Sequence, residues 1–328
     1  MLCYREPGGT LSLNAILGAG GVVADELVKR LVSAGESVRL VSRSGRGMAG
    51  AASVRADVSL RDQTLSAVEG SSTVFLCVGL KYDRRVWSEL WPPIMSNTLD
   101  ACKRSGSKLV FFDNVYAYGR VDGPMTESTA YNPSSRKGEI RASIAAKLMD
   151  EVKGGNLRAL IARAADFYGP FADKAGIPNA LVFNRLAAGK KPNVLARADR
   201  KHSYTFTLDM AEALYRLSKS DDAYGQVWHL PTAPDPPTGR EFAAIAAEAF
   251  GAKHGCTVLS GWMLKAAGVF DRTIYEISEM LYQNEHDYIF DSSKIRNAFG
   301  LNATSYADGI RQTAAFYKQL GRNQKGEK

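Results

Sequence analysis

Along the first half of the chain, short continuous apolar runs alternate with longer stretches in which apolar side chains recur every three or four residues. Leu13–Leu17 is such a run and ends in glycines, and Val22–Ala34 follows with Val23, Leu27 and Leu31 on one face. This predicts a buried strand, a tight turn and an amphipathic helix. The pattern then repeats, with Ser37–Val41 read as a strand, Leu60–Val68 as a short helix, Thr73–Val78 as a strand and Val86–Ser105 as a long helix. Lys108–Phe112, Gly138–Lys153 and Arg158–Ala162 continue it as strand, helix and strand. Strands alternating with helices predict an α/β fold, a doubly wound parallel sheet with helices on both faces.

After Pro170 the elements shorten. Helical patterns occur at Leu208–Ser218, Gly239–Phe250, Tyr275–Tyr282 and Tyr306–Leu320, while Gln226–Leu230 returns a strand to the sheet. The expected organisation is a flexible tail at 1–12, a sheet domain at 13–175 rejoined by 203–232, and a smaller interleaved lobe from 176–202 and 233–320. A frayed tail at 321–328 closes it.

Composition narrows the function classes. A chain of 328 residues, 45% hydrophobic and 23% charged, buries a sizeable core. Its net charge of +8 is scattered, with no basic run, so it suits a small anionic ligand and excludes a nucleic-acid tail. Cys3, Cys77, Cys102 and Cys256 show no paired spacing, which argues against a disulfide framework or zinc site. His229 has strand neighbours and reads as a core histidine, and His254 and His286 lack partners at ligand spacing, so no metal is expected. The N-terminus has no apolar signal segment and no long apolar span occurs, so a cytoplasmic protein without membrane contact is expected.

The first turn carries chemistry. Gly18, Gly20, Gly21, Val22, Val23 and Ala24 form a GxxGxxA spacing between a strand and a helix, where backbone N–H groups and the helix N-terminus stabilise the pyrophosphate of a dinucleotide. At the end of the second strand an acidic residue would meet a ribose 2′-hydroxyl. Arg43 stands there instead, flanked by Arg39 and Arg46, with no Asp or Glu between Ser37 and Gly50. A guanidinium suits a 2′-phosphate, so NADP is favoured over NAD.

Several motifs in order then resemble the extended short-chain dehydrogenase/reductase superfamily, specifically its NAD-dependent epimerase/dehydratase branch. They are the glycine turn, Ala56-Asp57-Val58, Cys77-Val78-Gly79, Asn97–Cys102, Phe111–Gly119, Arg163-Ala-Ala-Asp-Phe-Tyr-Gly-Pro170, Tyr204–Asp209 and Asp291-Ser-Ser-Lys294. The resemblance implies a Rossmann fold, with Asp57, Val58, Cys77, Val78, Gly79 and Ala164 beside the cofactor and Lys81, Tyr82, Tyr116, Asp166 and His202 beside the substrate. It also implies hydride transfer on a small polar carbonyl, hydroxy or sugar-type substrate. The family commonly forms homodimers through two long helices, here Val86–Ser105 and Gly138–Lys153, with Ala142, Ile144, Ala145, Leu148 and Met149 as candidate contacts.

The family's catalytic Ser, Tyr and Lys are absent. In the preferred register Asn114 takes the serine position, Lys137 the tyrosine position and Arg141 the lysine position, with Tyr116 and Tyr82 as reserve hydroxyls. Lys137 is the expected acid/base, Asn114 a donor to a carbonyl oxygen and Arg141 a ribose contact. The alternative is a catalytically inactive NADP-binding sensor.

Overall fold

The computed structural model describes residues 12–172 and 176–326. Its main sheet has seven strands: β1 (Leu13–Leu17), β2 (Ser37–Ser42), β3 (Ala52–Arg55), β4 (Thr73–Leu76), β5 (Lys108–Asn114), β6 (Ala159–Ala164) and β7 (Val227–His229). They lie in the order β7-β6-β5-β4-β1-β2-β3, all parallel. The sheet is covered by α1 (Val22–Ser33), α2 (Arg61–Val68), α3 (Arg84–Ser105), α4 (Arg136–Lys153) and α5 (Thr207–Lys219).

Successive residues of β5 feed opposite layers, as the period of a strand requires. Leu109 and Phe111 pack with Trp91 and Leu99 of α3 and Leu148 of α4, while Val110 joins Phe75 with Leu27 of α1 and Leu214 of α5. The strand β3 carries no apolar signal because it is a sheet edge whose Ala52, Ser53 and Arg55 are exposed. This is why the hydrophobic pattern passes it over.

The lobe is interleaved through three two-stranded pairings. Asp166–Tyr168 pairs with Tyr204–Phe206, Asn193–Leu195 with Thr257–Leu259, and Pro124–Met125 with Ile289–Phe290. Its helices are α6 (Gly239–Phe250), α7 (Gly261–Gly268), α8 (Arg272–Ser278) and α9 (Tyr306–Gly326). The start of α6 is set by a capping box between Thr238 and Glu241. Tyr168, Phe183, Phe206, Phe242, Ile310 and Tyr317 form the lobe's core.

Three expectations change. The helix expected at Tyr275–Tyr282 is two pieces, α8 and Tyr282–Glu285, and α7 lies in a stretch whose pattern predicts no helix. The segment expected to fray from residue 321 is helical as far as Gly326, where α9 ends. Cys3 and residues 1–11 of the N-terminal tail, with the last two residues, lie outside the described residues. Cys77, Cys102 and Cys256 are free thiols.

Candidate active site

The glycine turn is built by close backbone approach. Gly18 has φ +115°, and a Cβ there would lie 2.7 Å from the Cys77 carbonyl and from the Val78 Cα, so only glycine lets the end of β1 pass the end of β4. Gly21 precedes α1 without any side-chain cap, leaving the first N–H groups of the helix without a side-chain acceptor there. Behind the turn, Asp25 accepts from the Gly20 N–H at 3.2 Å and from Arg46 at 3.1 Å.

A cavity of about 310 Å³ opens over this turn, lined among others by Gly18, Gly20, Gly21, Arg43, Asp57, Val58, Val78 and Gly79. The three arginines near β2 separate here. Arg39 donates to the carbonyls of Ala67 and Glu69, Arg46 is held by Asp25, and Arg43 lines the cavity. The Ser59 hydroxyl and N–H, with the Arg43 charge nearby, hold the Asp57 carboxyl below its ordinary range against the effect of burial.

A second cavity of about 550 Å³ shares Gly21, Val78, Gly79 and Leu80 with the first and runs past the C-terminal ends of the central strands. Val22, Val23, Cys77, Lys81, Tyr82, Asn114, Tyr116, Arg141, Ala164 and Asp166 line it, so most residues singled out in the sequence do converge. Trp87, Trp91, Phe167, Ile177, Thr273 and Ile277 also form its walls. Of these only Phe167, inside the Arg163–Pro170 motif, stands out in the sequence. The tryptophans read as core positions of a long helix, and the lobe residues carry no motif.

Tyr116 follows β5 in a short 3₁₀ turn, with its ring stacked on Trp87 at 6.1 Å and its hydroxyl 3.4 Å from that of Tyr82. Burial, reinforced by Asp166, pushes the Tyr116 hydroxyl well above its ordinary pKa, and burial does the same to Tyr82. The Asn114 Oδ1 accepts from the Tyr116 backbone N–H at 3.1 Å, which leaves the amide NH₂ as the donor end at the cavity. Asp166 reaches the cavity wall and is hydrogen-bonded to His202 Nε2 at 3.0 Å. The expectation for His202 is corrected. Its ring is buried between Tyr204 and Tyr288, and it supports Asp166 instead of lining the cavity.

The expectation for Lys137 is also corrected. Its side chain is fully buried, and its ammonium donates to Glu276 Oε2 at 2.5 Å, the Glu276 carbonyl at 3.1 Å and Glu279 Oε2 at 2.6 Å. All three N–H donors are engaged. The group lies 4.5 Å from the centre of the Tyr82 ring and is absent from the cavity wall. What places it there is α8 with the residue that follows it, which bring Glu276 and Glu279 against the first turn of α4. The neighbouring Gly138 makes this possible from the other side, since a Cβ there would lie 2.5 Å from the Tyr116 carbonyl.

Arg141 does line the cavity, stacked 4.3 Å from the centre of the Trp91 ring, and burial pushes its guanidinium pKa down. Its Nε donates to Asp113 Oδ1 at 2.7 Å, while Asp113 Oδ2 accepts from Arg163 Nε at 2.9 Å. Arg163 also donates to the Tyr131 hydroxyl at 2.6 Å.

His229 is a core histidine, as its strand setting predicts. Its Nδ1 bonds the Asp291 carbonyl and its Nε2 the Tyr118 hydroxyl, each at 2.7 Å, and burial pushes its pKa down to about 3. Among the described residues no group of three or more acidic, histidine or cysteine side chains is placed to hold a metal. On α4, Ile144, Ala145 and Leu148, expected to seam a dimer, are buried in the chain's own core.

The model of the NAD dependent epimerase/dehydratase family matches residues 15–229. No curated protein matches the chain. Among solved structures, a UDP-glucose 4-epimerase of Thermus thermophilus, in complex with NAD, is 18% identical with a TM-score of 0.77, covering 93% of this chain and 99% of that one. MoeE5 in complex with UDP-glucuronic acid and NAD is 20% identical, TM-score 0.77, covering 94% and 99%. DesIV, a dTDP-glucose 4,6-dehydratase from Streptomyces venezuelae, is 18% identical, TM-score 0.74, covering 94% and 97%. These likenesses establish the shared fold, and because the family model spans well over half of the sequence, the chain belongs to the NAD dependent epimerase/dehydratase family.

Proposed function

We propose that this chain binds a nicotinamide dinucleotide, NADP in preference to NAD, and reduces a small carbonyl compound by hydride transfer. The observation that carries this reading is the pair of joined cavities, one over the glycine turn and Arg43, the other ending at Asn114, Tyr116 and Asp166. The residues fit the group. A Cβ on Gly79 would meet nothing within 4 Å and one on Gly21 nothing closer than 3.7 Å, so both leave room for a ligand against the backbone, and the start of α1 has no side-chain cap. Gly18, Gly20, Gly21, Val22 and Val23 would hold the pyrophosphate, Asp57 and Val58 the adenine side, and Cys77, Val78, Gly79, Arg141 and Ala164 the nicotinamide half. When bound, the dinucleotide supplies or accepts a hydride. Arg43 is the only one of the three arginines near β2 to line the cavity, which supports a 2′-phosphate.

Tyr116 and Asn114 are donors to a carbonyl oxygen. Burial raises the Tyr116 pKa, so the group is present as the phenol, which can donate to a carbonyl oxygen, and little of the phenolate needed to take a proton from an alcohol is available. This favours reduction over epimerase or dehydratase chemistry, which must first oxidise its substrate. Asp166, backed by His202, accepts a hydrogen bond from the substrate, and Lys81 supplies a cation at the wall. A homodimer and a cytoplasmic setting belong to the same reading, sedimentation being the test of the first.

One observation favours a second reading, a sensor that binds the dinucleotide without turnover. Lys137 and Arg141, the residues at the family's tyrosine and lysine positions, are both held in buried ion pairs. Calorimetry with NADPH and NADH, followed by oxidation of the reduced cofactor across a carbonyl panel, separates the two. Arg43→Ala is expected to weaken NADPH by about tenfold to a hundredfold and NADH little. Tyr116→Phe is expected to lower kcat by about a hundredfold or more with cofactor affinity retained. Binding without turnover across the carbonyl panel favours the sensor, and failure to bind either dinucleotide overturns both readings.

A further inference from the structure

The largest exposed apolar groups among the described residues concentrate in one place, the hairpin formed by α7 and α8. Its outer face and tip present Trp262, 72% exposed, Val269, 77%, and Phe270, 93%. A patch of this kind on an otherwise ordinary surface marks an interaction site. The tip is ordered by its own chemistry. The Asp271 carboxylate accepts from the N–H groups of Thr273 and Ile274 at 2.7 and 3.1 Å, and Gly268 lets the two helices close, since a Cβ there would sit 2.9 Å from the Tyr275 backbone. The hairpin is tied to the start of α3 by a two-pronged bond from Arg272 to Asp83 at 2.7 and 2.9 Å. Its inner side contributes Thr273 and Ile277 to the larger cavity.

Beside this apolar tip lies a basic surface. Arg84, Arg85 and Arg136, with Ser88 and Glu89, line an open concavity of about 620 Å³; Arg136 is paired with Glu139 at 2.6 Å, and the Arg84 guanidinium lies 5.0 Å from the centre of the Tyr275 ring, joining it to the hairpin. Lys265 is exposed on α7 itself. Protruding Trp, Val and Phe side chains backed by guanidinium groups are the pattern of a segment that lies in the interface of an anionic bilayer. A two-fold contact with a second copy of the chain through the same face would set this cationic cluster close to its own copy, which disfavours that occupant.

We propose that the α7–α8 hairpin docks on an anionic membrane surface, with Phe270, Val269 and Trp262 entering the headgroup layer while Arg84, Arg85 and Arg136 meet the lipid phosphates. The proposal departs from the sequence expectation of no membrane contact. Among the described residues no helix is long and apolar enough to cross a membrane, whereas lying on one needs no such helix. This inference is independent of the cofactor and the reaction.

The test is co-sedimentation of the full chain with phosphatidylcholine vesicles, with and without about 30% phosphatidylglycerol. The expected result is binding to the anionic vesicles, at least about tenfold weaker without the anionic lipid or in about 0.5 M salt. Val269→Ser with Phe270→Ser, and separately Arg84→Glu with Arg85→Glu, are each expected to lower it by about tenfold. Brominated acyl chains should quench a fluorescence component that Trp262→Phe removes. No partition into either vesicle overturns the proposal, as does binding that survives the Val269→Ser, Phe270→Ser change. An oligomer in lipid-free buffer that this double change dissociates also overturns it, by showing that a second copy covers the patch.

Discussion

Lys137 and Arg141 stand one turn apart on α4, both buried and both cationic, yet they are neutralised in opposite ways. Around Arg141, one carboxylate, Asp113, is shared by two guanidiniums, those of Arg141 and Arg163. Around Lys137, one ammonium is shared by two carboxylates, those of Glu276 and Glu279. The first cluster is made entirely from β5, α4 and β6, elements that the sheet already holds together. The second joins α4 to α8, so it exists only when the lobe is seated. Buried ion pairing therefore does two jobs, fixing the floor of the cavity in one case and fastening one of its walls in the other.

Breaking the carboxylate at the centre of the first cluster should have the largest effect. Asp113→Asn leaves two buried guanidiniums without a counter-charge and is expected to cost about 3–5 kcal/mol of stability in urea unfolding. A loss below about 1 kcal/mol would show that the two arginines find other partners on relaxing. Lys137→Met, the matching change in the second cluster, is expected to cost less, about 2–3 kcal/mol, because Glu279 keeps partial contact with water. Adding Glu276→Gln to it should recover about 1 kcal/mol, since the amide carries no charge to strand. The two clusters should also differ under limited proteolysis. Lys137→Met is expected to speed tryptic cleavage at Lys265 in α7, and Asp113→Asn, in conditions where it remains folded, is not. Equal cleavage in both variants would remove the distinction drawn between floor and wall.

His229 sharpens the comparison by showing a third solution, a titratable group buried without charge. Its native pKa lies near about 3, below the unfolded value of about 6.5, so the unfolded chain binds the extra proton first. The stability held by the neutral ring is therefore fully present above about pH 6.5 and is lost as the pH falls toward 3, at up to about 1.4 kcal/mol per pH unit from this residue. Melting temperatures measured from pH 7 to about 4 in His229→Gln should show a shallower acid slope than in the unmodified chain. Parallel slopes would assign the acid sensitivity elsewhere.

The parts of the site that are made from backbone were readable along the chain. A turn such as Gly18–Gly21 needs glycine at particular places for steric reasons that act within a few residues, and the alternation of apolar runs and amphipathic stretches set out the order of strands and helices that delivers it. Tyr116, Asn114 and Asp166 were reachable through the family motifs that contain them, and they meet in space because each stands at or just after a strand end and parallel strands bring their C-terminal ends to one edge. The lobe was less legible. Its strands are two or three residues long, and α7, exposed on one side and thinly covered on the other, carries no clean period.

Local pattern was thus enough for the sheet apart from its edge strand β3, and for the glycine turn, because steric and hydrophobic constraints of that kind operate over the span of one element and its neighbour. Asp57, Val58, Cys77, Val78, Gly79 and Ala164, by contrast, were singled out by the family resemblance. The state of a side chain is another matter. Whether a lysine serves as a proton carrier or as the centre of an ion cluster depends on which charges stand within a few ångströms of it, and for Lys137 those belong to Glu276, 139 positions further along. Coulomb energy and desolvation depend on distance through space and on burial, neither of which the order of residues encodes, so the role of Lys137, and that of His202 behind Asp166, was decided only when the lobe closed onto the sheet.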